Sequence, residues 1–279
     1  MTISLWRHRL AQVEHDQGFF VKTISSPDNP TFKRLQRLAS SSRERRKTRM
    51  ALLDGIHLID AYCAAYGAPE VLIVSASALQ HPEIAALLAA RPDLHPVVLS
   101  AALFQDIAQV VHPLGVMAIS TVPVASLPAT VPDTCVLLEG IRDPGNLGSI
   151  LRSAAAAGIQ QVFLARDCAF AWSPKTLRAG MGAHFTLSIH EHADFGTVAR
   201  WFGGEVIATM PGAGATLYET SLSGRVAWLF GNEGEGLSVK SAALASCTVR
   251  IPMAGNSESL NVAAAAAVCF FERLRQIRK

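Results

Sequence analysis

The chain has 279 residues, half of them hydrophobic and 17% charged, with a net charge of +3, a length that suits two domains each able to bury a core. Its strongly apolar run near the C-terminus, Val262 to Phe271, stops at Glu272, about half the roughly 20 residues of a membrane-spanning helix, and the start lacks a basic head, apolar stretch and small-residue cleavage site. A soluble cytoplasmic protein is expected, and five cysteines without a C-x-x-C pair read as buried thiols in a reducing compartment.

Residues 1–21 show no clean period and read as an extension of uncertain order. From Lys22 to Arg49, nine lysines and arginines against Asp28 and Glu44 give the segment +7, which leaves −4 for the rest of the chain. A basic block beside a near-neutral to acidic body is the footprint of a surface that docks on a phosphate backbone, although a solvated basic helix has the same composition. Within it, Phe32, Leu35 and Leu38 at helical spacing predict a helix with Lys33, Arg34 and Arg37 on its other sides. "SSSRERRKTR", with Arg43, Arg45, Arg46 and Lys47, predicts a polar hinge, and "MALLDGIHLIDAYCAAYG" a short strand and a helix ended by Gly67. "EVLIVS", "EIAALLAA", "HPVVLS", "AALFQDIAQ" and "GVMAIST" continue the alternation, so residues 22–120 predict a small α/β domain.

Residues 121–133, interrupted by Pro123, Pro128 and Pro132, predict a linker. Beyond it, strands are predicted at "CVLLE", "QVFLA", "FTLSIH", "EVIATM", "RVAWLF" and "CTVRI", and helices at residues 147–157, 175–180, 194–203, 239–245 and 259–276. Such alternation argues a mostly parallel sheet covered on both faces, with ligands bound beyond the carboxyl ends of the strands. His190 and His192 in "IHEH" are spaced like ligands on one strand face, but catalytic zinc takes three protein ligands and no third accompanies them, so no metal is expected.

Three loops follow strands at that end. In "CVLLEGIRDPGNLGSILRSAAAAG" a buried strand ends at Glu139, Asn146 sits where a helix N-cap would satisfy orphan backbone donors, and Arg152 projects from the second turn. "FGNEGEG", residues 230–236, spaces its glycines G-x-x-G-x-G, the reverse of the dinucleotide fingerprint, with no Lys-Ser/Thr pair after it. Glu233 and Glu235 would repel a diphosphate, so the glycines point to close backbone approach by a ligand that is cationic or presents hydroxyls and amines. In "CTVRIPMAGNSESLNVAAAAAVCFFERLRQ" a strand ends at Ile251-Pro252 and a polar loop carries Gly255, Asn256, Ser257 and Ser259. The small side chains of Ala263 to Ala267 would let the next helix lie close to another surface, such as a second subunit. Taken singly, each loop also reads as a capped helix or a tight polar turn.

Together these residues resemble the SpoU, or TrmH-like, branch of the SPOUT RNA methyltransferases, through "DPGNLGSILRSAAAAG", "FGNEGEGLS" and "IPMAGNSESLNVAAAAAV" in order, with "LRAGMGAHFTLSI" between the first two. The N-terminal part is similar to the family's substrate-binding domain through "SPDNPTFKRLQRL" and "LLDGIHLIDA"; Asp54 stands where the family more often has glutamate, and Ala263 where it often has serine. The resemblance implies an α/β architecture: a SPOUT trefoil-knot domain with a mostly parallel sheet over residues 134–279, and a smaller N-terminal α/β domain of ribosomal-protein-like fold. It also implies a homodimer, S-adenosylmethionine as methyl donor, and a ribose 2′-hydroxyl in structured RNA as acceptor. By motif match Asn146, Arg152, Glu233, Ser259 and Asn261 carry over as catalytic residues, and Thr209, Gly231, Ile251, Met253 and Leu260 as the donor pocket.

On that reading Lys33, Arg34, Arg37, Arg43, Arg45, Arg46 and Lys47 hold the RNA, with rRNA favoured over tRNA. The hydroxyl must lose its proton, or have it drawn away, as the new bond forms. Arg152 is the family's usual candidate, yet a guanidinium is effectively never deprotonated, and clamping the adjacent phosphate is the equal alternative. Two rival classes remain: a non-catalytic RNA-binding or assembly protein, and a nucleotide-dependent oxidoreductase, for which the G-x-G-x-x-G after a strand is missing.

Overall fold

The computed structural model describes residues 23–255 and 259–278, so the expected N-terminal extension, and Asn256 and Ser257 of the third loop, lie outside the described residues. Helix α1 (Pro30–Ser40) starts on Asn29, whose side chain accepts from the Thr31 backbone N–H, and buries Phe32, Leu35 and Leu38. The segment expected to be a hinge is instead a second helix, α2 (Ser42–Thr48), capped by the Ser41 side chain and closed by Arg49 at φ 55. A serine cap ahead of a run of good helix formers explains the difference, because polarity alone says nothing against a helix.

The N-terminal sheet is built from β1 (Thr23–Ile24), β2 (Met50–Asp54), β3 (Val71–Ser75), β4 (Pro96–Leu99) and β5 (Val116–Thr121), with α3 (Ile56–Tyr66), α4 (Pro82–Ala90) and α5 (Ala101–Ile107) between them. Its order is β1-β4-β3-β5-β2, parallel except for β5, which runs against both neighbours. Phe32, Leu35, Phe104 and Ile107 place α1 and α5 on one face. Leu58, Ile59, Ile84 and Leu87 place α3 and α4 on the other.

After residues 122–133, which carry no helix or strand, the second part alternates β6 (Thr134–Leu138), α6 (Pro144–Ala156), β7 (Gln161–Leu164), α7 (Pro174–Gly180), β8 (Ser188–His190) and α8 (Phe195–Phe202). It continues through β9 (Glu205–Thr209), β10 (Ala215–Thr216), β11 (Val226–Phe230), α9 (Val239–Ala242), β12 (Cys247–Arg250) and α10 (Val262–Ile277). The seven strands lie in the order β10-β12-β9-β11-β6-β7-β8, every pair parallel. Every residue of β6 and β11 is buried, as a sheet covered on both faces requires. Phe195, Val198 and Phe202 of α8 cover one face, while Leu147, Ile150 and Leu151 of α6 and Ala266 and Phe270 of α10 cover the other. Gly148 allows α6 and α7 to touch: a Cβ there would lie 2.6 Å from the Thr176 carbonyl oxygen.

The two parts meet through β2 and α3. Arg178 of α7 approaches Asp54 at 3.5 Å, the Arg46 guanidinium lies 4.2 Å over the Phe170 ring, and Tyr62 meets Phe185 edge to face. Burial pushes the Asp54 carboxyl above its ordinary range while the Arg178 charge pulls it back. Nearby, His184 is fully buried; its Nε2 donates to the Ala171 carbonyl at 2.8 Å, and its Nδ1 has no partner among the described residues. Burial lowers this ring from 6.5 to about 4. The folded state therefore holds it neutral while the unfolded chain takes up a proton near 6.5. The stability that depends on the neutral ring is complete above that value and is lost as pH falls towards about 4, by ~3 kcal/mol. Urea unfolding of the protein and of His184→Gln between pH 7 and pH 4 measures it: the gap should shrink on acidification, and a constant gap contradicts the assignment.

A candidate active site where three loops meet

The first loop is organised by Asp143. Its side chain accepts from the Asn146 backbone N–H at 2.8 Å, with Pro144 following, so Asp143 and not Asn146 is the N-cap of α6. The dipeptide Asp-Pro was the cue, a capping residue followed by a proline suited to the first helical position. The Asn146 N–H, and secondarily Lys175, hold the Asp143 carboxyl below its ordinary range. Freed from capping, the Asn146 side chain donates to Glu233 Oε1 at 2.9 Å.

Asn261 of the third loop donates to the same oxygen at 2.6 Å and to Asn146 Oδ1 at 3.0 Å. The Val262 backbone N–H completes the set on Glu233 Oε1 at 3.1 Å. Asn261 also accepts from the Ala263 and Ala264 N–H groups, which makes it the N-cap of α10 and starts that helix three residues later than the expected Ser259. One carboxylate oxygen of the second loop thus gathers three donors from the first and third loops.

The second loop holds its own shape. Asn232 Oδ1 accepts from the Gly234 and Glu235 N–H groups, and Asn232 and Gly236 exchange two backbone hydrogen bonds. A Cβ on Gly231 would come within 2.4 Å of the Gly236 carbonyl. Glycine at 231 is therefore demanded by closure of the loop on itself, whatever ligand approaches it. Asn232 Nδ2 donates to the Gly140 carbonyl at 2.8 Å, and Glu235 takes two hydrogen bonds from Arg142 at 3.0 and 3.3 Å. Glu139 ties in the next turn: burial raises its carboxyl, but hydrogen bonds from Ser241 and Ser238 outweigh that and hold it below its ordinary range. Sequence reasoning passed over Arg142, Glu139 and Asn232, whose partners lie about a hundred residues away and leave no local signal.

Beyond the carboxyl ends of β9, β11 and β12 a cleft of about 340 Å³ opens, with Thr209, Gly231, Ile251, Met253, Leu260, Ser259 and Glu233 all in its lining. Met210, Met253 and Leu260 are 39%, 38% and 36% exposed there, an apolar surface next to two carboxylates. A cavity of this size and mixture suits an amphipathic cation of nucleoside dimensions. Arg152 stands apart. It is exposed on the outer stripe of α6, six residues or about 9 Å along the axis from Asn146, and its guanidinium has no hydrogen bond or ion pair among the described residues. It does not line the cleft. His190 hydrogen-bonds Gln161 and stacks on Phe163, and among the described residues no three His, Cys, Asp or Glu side chains gather as metal ligands.

The basic segment divides. Arg45 is buried and donates to the Leu38 and Ala39 carbonyls at 2.5 and 3.0 Å. Those are orphan acceptors at the end of α1, so this residue, expected on RNA, serves the fold. Arg46 stays exposed, but its guanidinium lies over Phe170 and 3.9 Å from Glu191, so part of it is engaged within the chain. Lys33, Arg34, Arg37, Arg43 and Lys47 keep surface positions, with Lys33 beside Asp28 and Arg34 beside Glu70.

Residues 133–271 match the SpoU rRNA Methylase family, and residues 29–118 match an MRM3-like substrate binding domain. Over 261 residues the chain is 33% identical to an uncharacterized tRNA/rRNA methyltransferase of Synechocystis, covering 92% of this chain and 94% of the relative. It is 28% identical over 253 residues to the 23S rRNA (guanosine(2553)-2'-O)-methyltransferase RlmP of Bacillus subtilis, covering 90% and 98%. An AdoMet-bound rRNA methyltransferase from Sinorhizobium meliloti matches the structure with a TM-score of 0.76 at 30% identity, covering 92% and 98%. Among the described residues no helix is long and apolar enough to cross a membrane.

Proposed function

The chain belongs to the SpoU rRNA methylase family, and on that premise we propose that it transfers a methyl group from S-adenosylmethionine to a ribose 2′-hydroxyl of ribosomal RNA. The observation that carries this reading is the convergence of Asn146, Asn261 and the Val262 N–H on Glu233 Oε1 at the edge of the cleft. Transfer RNA is the second reading, because the Synechocystis relative is named for both RNAs.

S-adenosylmethionine, when bound, supplies a methyl group on a positively charged sulfur, and the cleft's exposed Met253 and Leu260 with Glu233 at the edge are suited to hold it. The protein's task is then chiefly positioning, which supplies much of the acceleration in a displacement of this kind. Glu233 Oε2 makes no hydrogen bond among the described residues, so it is open to accept from a ribose hydroxyl while Oε1 fixes the carboxylate. In this reading Arg152 clamps a phosphate bidentately and polarises the hydroxyl rather than taking its proton. Ser259 sits where it can orient the ribose over the cleft.

The test is transfer of a labelled methyl group from S-adenosylmethionine to purified rRNA, followed by alkaline hydrolysis. A methylated 2′-oxygen blocks strand scission, so label is expected in alkali-resistant dinucleotides. Label confined to mononucleotides, where base methylation would put it, would overturn the reading.

Residues 22–120 form the RNA-holding part of this proposal and residues 134–279 the methyl-transfer part, joined by the linker at 121–133; limited proteolysis within the linker tests that division. Lys33, Arg34, Arg37, Arg43 and Lys47 carry the phosphate contacts. Replacing Lys33, Arg37, Arg43 and Lys47 with glutamine should weaken binding of rRNA fragments and lower the slope of log affinity against log salt by about 3. An unchanged slope places the anchor elsewhere. The protein works as a homodimer, a reading supported by the outward stripe of Ala264, Ala267, Val268 and Phe271 on α10, with Phe271 47% exposed; a sedimentation mass of one 29.8 kDa chain would refute it. The trefoil knot belongs to the same proposal, supported by the hydrogen bonds that tie Asn261 and Val262 to the second loop through Glu233. A knotted chain keeps a shortened contour when pulled from its ends. The free thiols of all five cysteines support a cytoplasmic location, which fractionation of a tagged protein tests.

A further inference from the structure

The N-terminal part holds a second cavity with no share in the methyl-transfer site. A cleft of about 610 Å³ opens beyond the carboxyl ends of β3 and β4, which are parallel neighbours. There the chain leaves β3 for the face covered by α4 and leaves β4 for the face covered by α5. Divergence of that kind is the switch point at which open α/β sheets bind ligands.

The walls come from three places. Ser75 and Ser77 stand at the end of β3 with their hydroxyls 2.9 Å apart, Phe104 and Gln105 belong to α5, and Val111 and His112 belong to the loop before β5. That loop is pressed onto the turn at residues 76–78, since a Cβ on Gly115, at φ +97, would meet the Ala78 Cβ at 2.3 Å. The wall is also tied to the end of β3, where the Gly115 carbonyl accepts from the Ser75 backbone N–H at 2.8 Å. No Asp, Glu, Lys or Arg lines the cleft, and His81 at its edge has a buried Nδ1 with no partner among the described residues. Val111 is 80% exposed, a large apolar side chain at a loop tip left largely uncovered among the described residues.

Such a lining selects its occupant. A phosphate or carboxylate would find no counter-charge, and a purely apolar ligand would strand the hydroxyls, amides and imidazoles. A flat neutral group with apolar faces and a hydrogen-bonding edge satisfies both, and a nucleobase is that group. The neighbouring surface supplies what its backbone needs: α5 shares one core with α1, the helix that carries Lys33, Arg34 and Arg37. We infer that this cleft receives an unpaired base of the substrate RNA, swung out of its stack, while α1 holds the flanking phosphates. The inference rests on the reading of RNA as substrate, and it adds a sequence-reading site that shares no lining residue with the cleft at the three loops, since unpaired bases are where proteins read RNA sequence.

Short single-stranded RNAs carrying one 4-thiouridine, and duplexes of the same length, are the probes, used with the full chain. Irradiation should cross-link the single strand to the peptide spanning residues 104–115. Replacing the exposed Gln105 and His112 together with alanine should weaken single-strand binding roughly tenfold, with duplex binding and S-adenosylmethionine affinity unchanged. Val111→Asp, at the exposed tip, should have the same selective effect without touching the core. Cross-links that avoid residues 104–115, or an equal loss of duplex and single-strand affinity, overturn the inference. The methyl-transfer reading is judged separately: alkali-resistant label with cross-links elsewhere sinks the base cleft alone, whereas a cross-link at 104–115 with no such label sinks the methyl-transfer reading alone.

Discussion

A Glu233→Ala protein is expected to bind RNA and keep its fold while losing methyl transfer by about 10²- to 10³-fold, the scale on which lost alignment of reacting groups is felt. Glu233 Oε1 is the common acceptor for Asn146, Asn261 and the Val262 N–H. Without it the Asn146 and Asn261 amides lose their shared anchor, and the start of α10 is no longer tied to the second loop. Glutamine is a sharper probe than alanine. Its amide oxygen can stand in for Oε1 as a weaker, uncharged acceptor of all three donors, but its NH₂ stands where Oε2 would accept from the ribose hydroxyl. Glu233→Gln should therefore fall between the native protein and the alanine variant, roughly tenfold down. Single-turnover assays at saturating RNA separate this loss from weaker binding. A rate within twofold of native for Glu233→Ala would show that the convergence on this carboxylate is not part of the chemistry.

The second large effect is expected at Arg152. Arg152→Ala should lower kcat/KM by about a hundredfold or more and leave thermal stability and S-adenosylmethionine affinity unchanged. The stability arm follows from its exposed position without a partner among the described residues, and the affinity arm from its absence from the cleft. The lysine variant decides what the guanidinium does. A bidentate clamp on phosphate is lost with lysine, which offers a point charge, so Arg152→Lys should stay near the alanine value. Full activity with lysine would contradict the clamp.

Much of the methyl-transfer sheet could be read directly from the sequence, because strands buried on both faces, such as β6 and β11, are continuous apolar runs between glycines and polar turns. The three loops could likewise be placed at one end of that sheet. What the residues did not disclose was who caps whom. Asn146 and Asp143 are both good capping residues three positions apart, and only the geometry assigns the cap to Asp143 and frees Asn146 for Glu233. Charge type was equally silent on burial and partners: in one run with Arg43 and Lys47, Arg45 is buried and closes the end of α1, while the exposed Arg46 lies over Phe170. For Gly231 the sequence did not disclose the collision its Cβ would make with Gly236. Pairs such as Arg142 with Glu235 depend on folding to bring distant loops together, and no local pattern marks them.

The central claim is that this chain places a methyl group on one ribose of ribosomal RNA, and mapping 2′-O-methylation across rRNA and tRNA in a strain lacking the protein tests it most directly. The expected map loses a site in rRNA, which returns when the native chain is supplied and does not return with Glu233→Ala. A map with every ribose methylation intact, or with the lost site restored equally by Glu233→Ala, would contradict it.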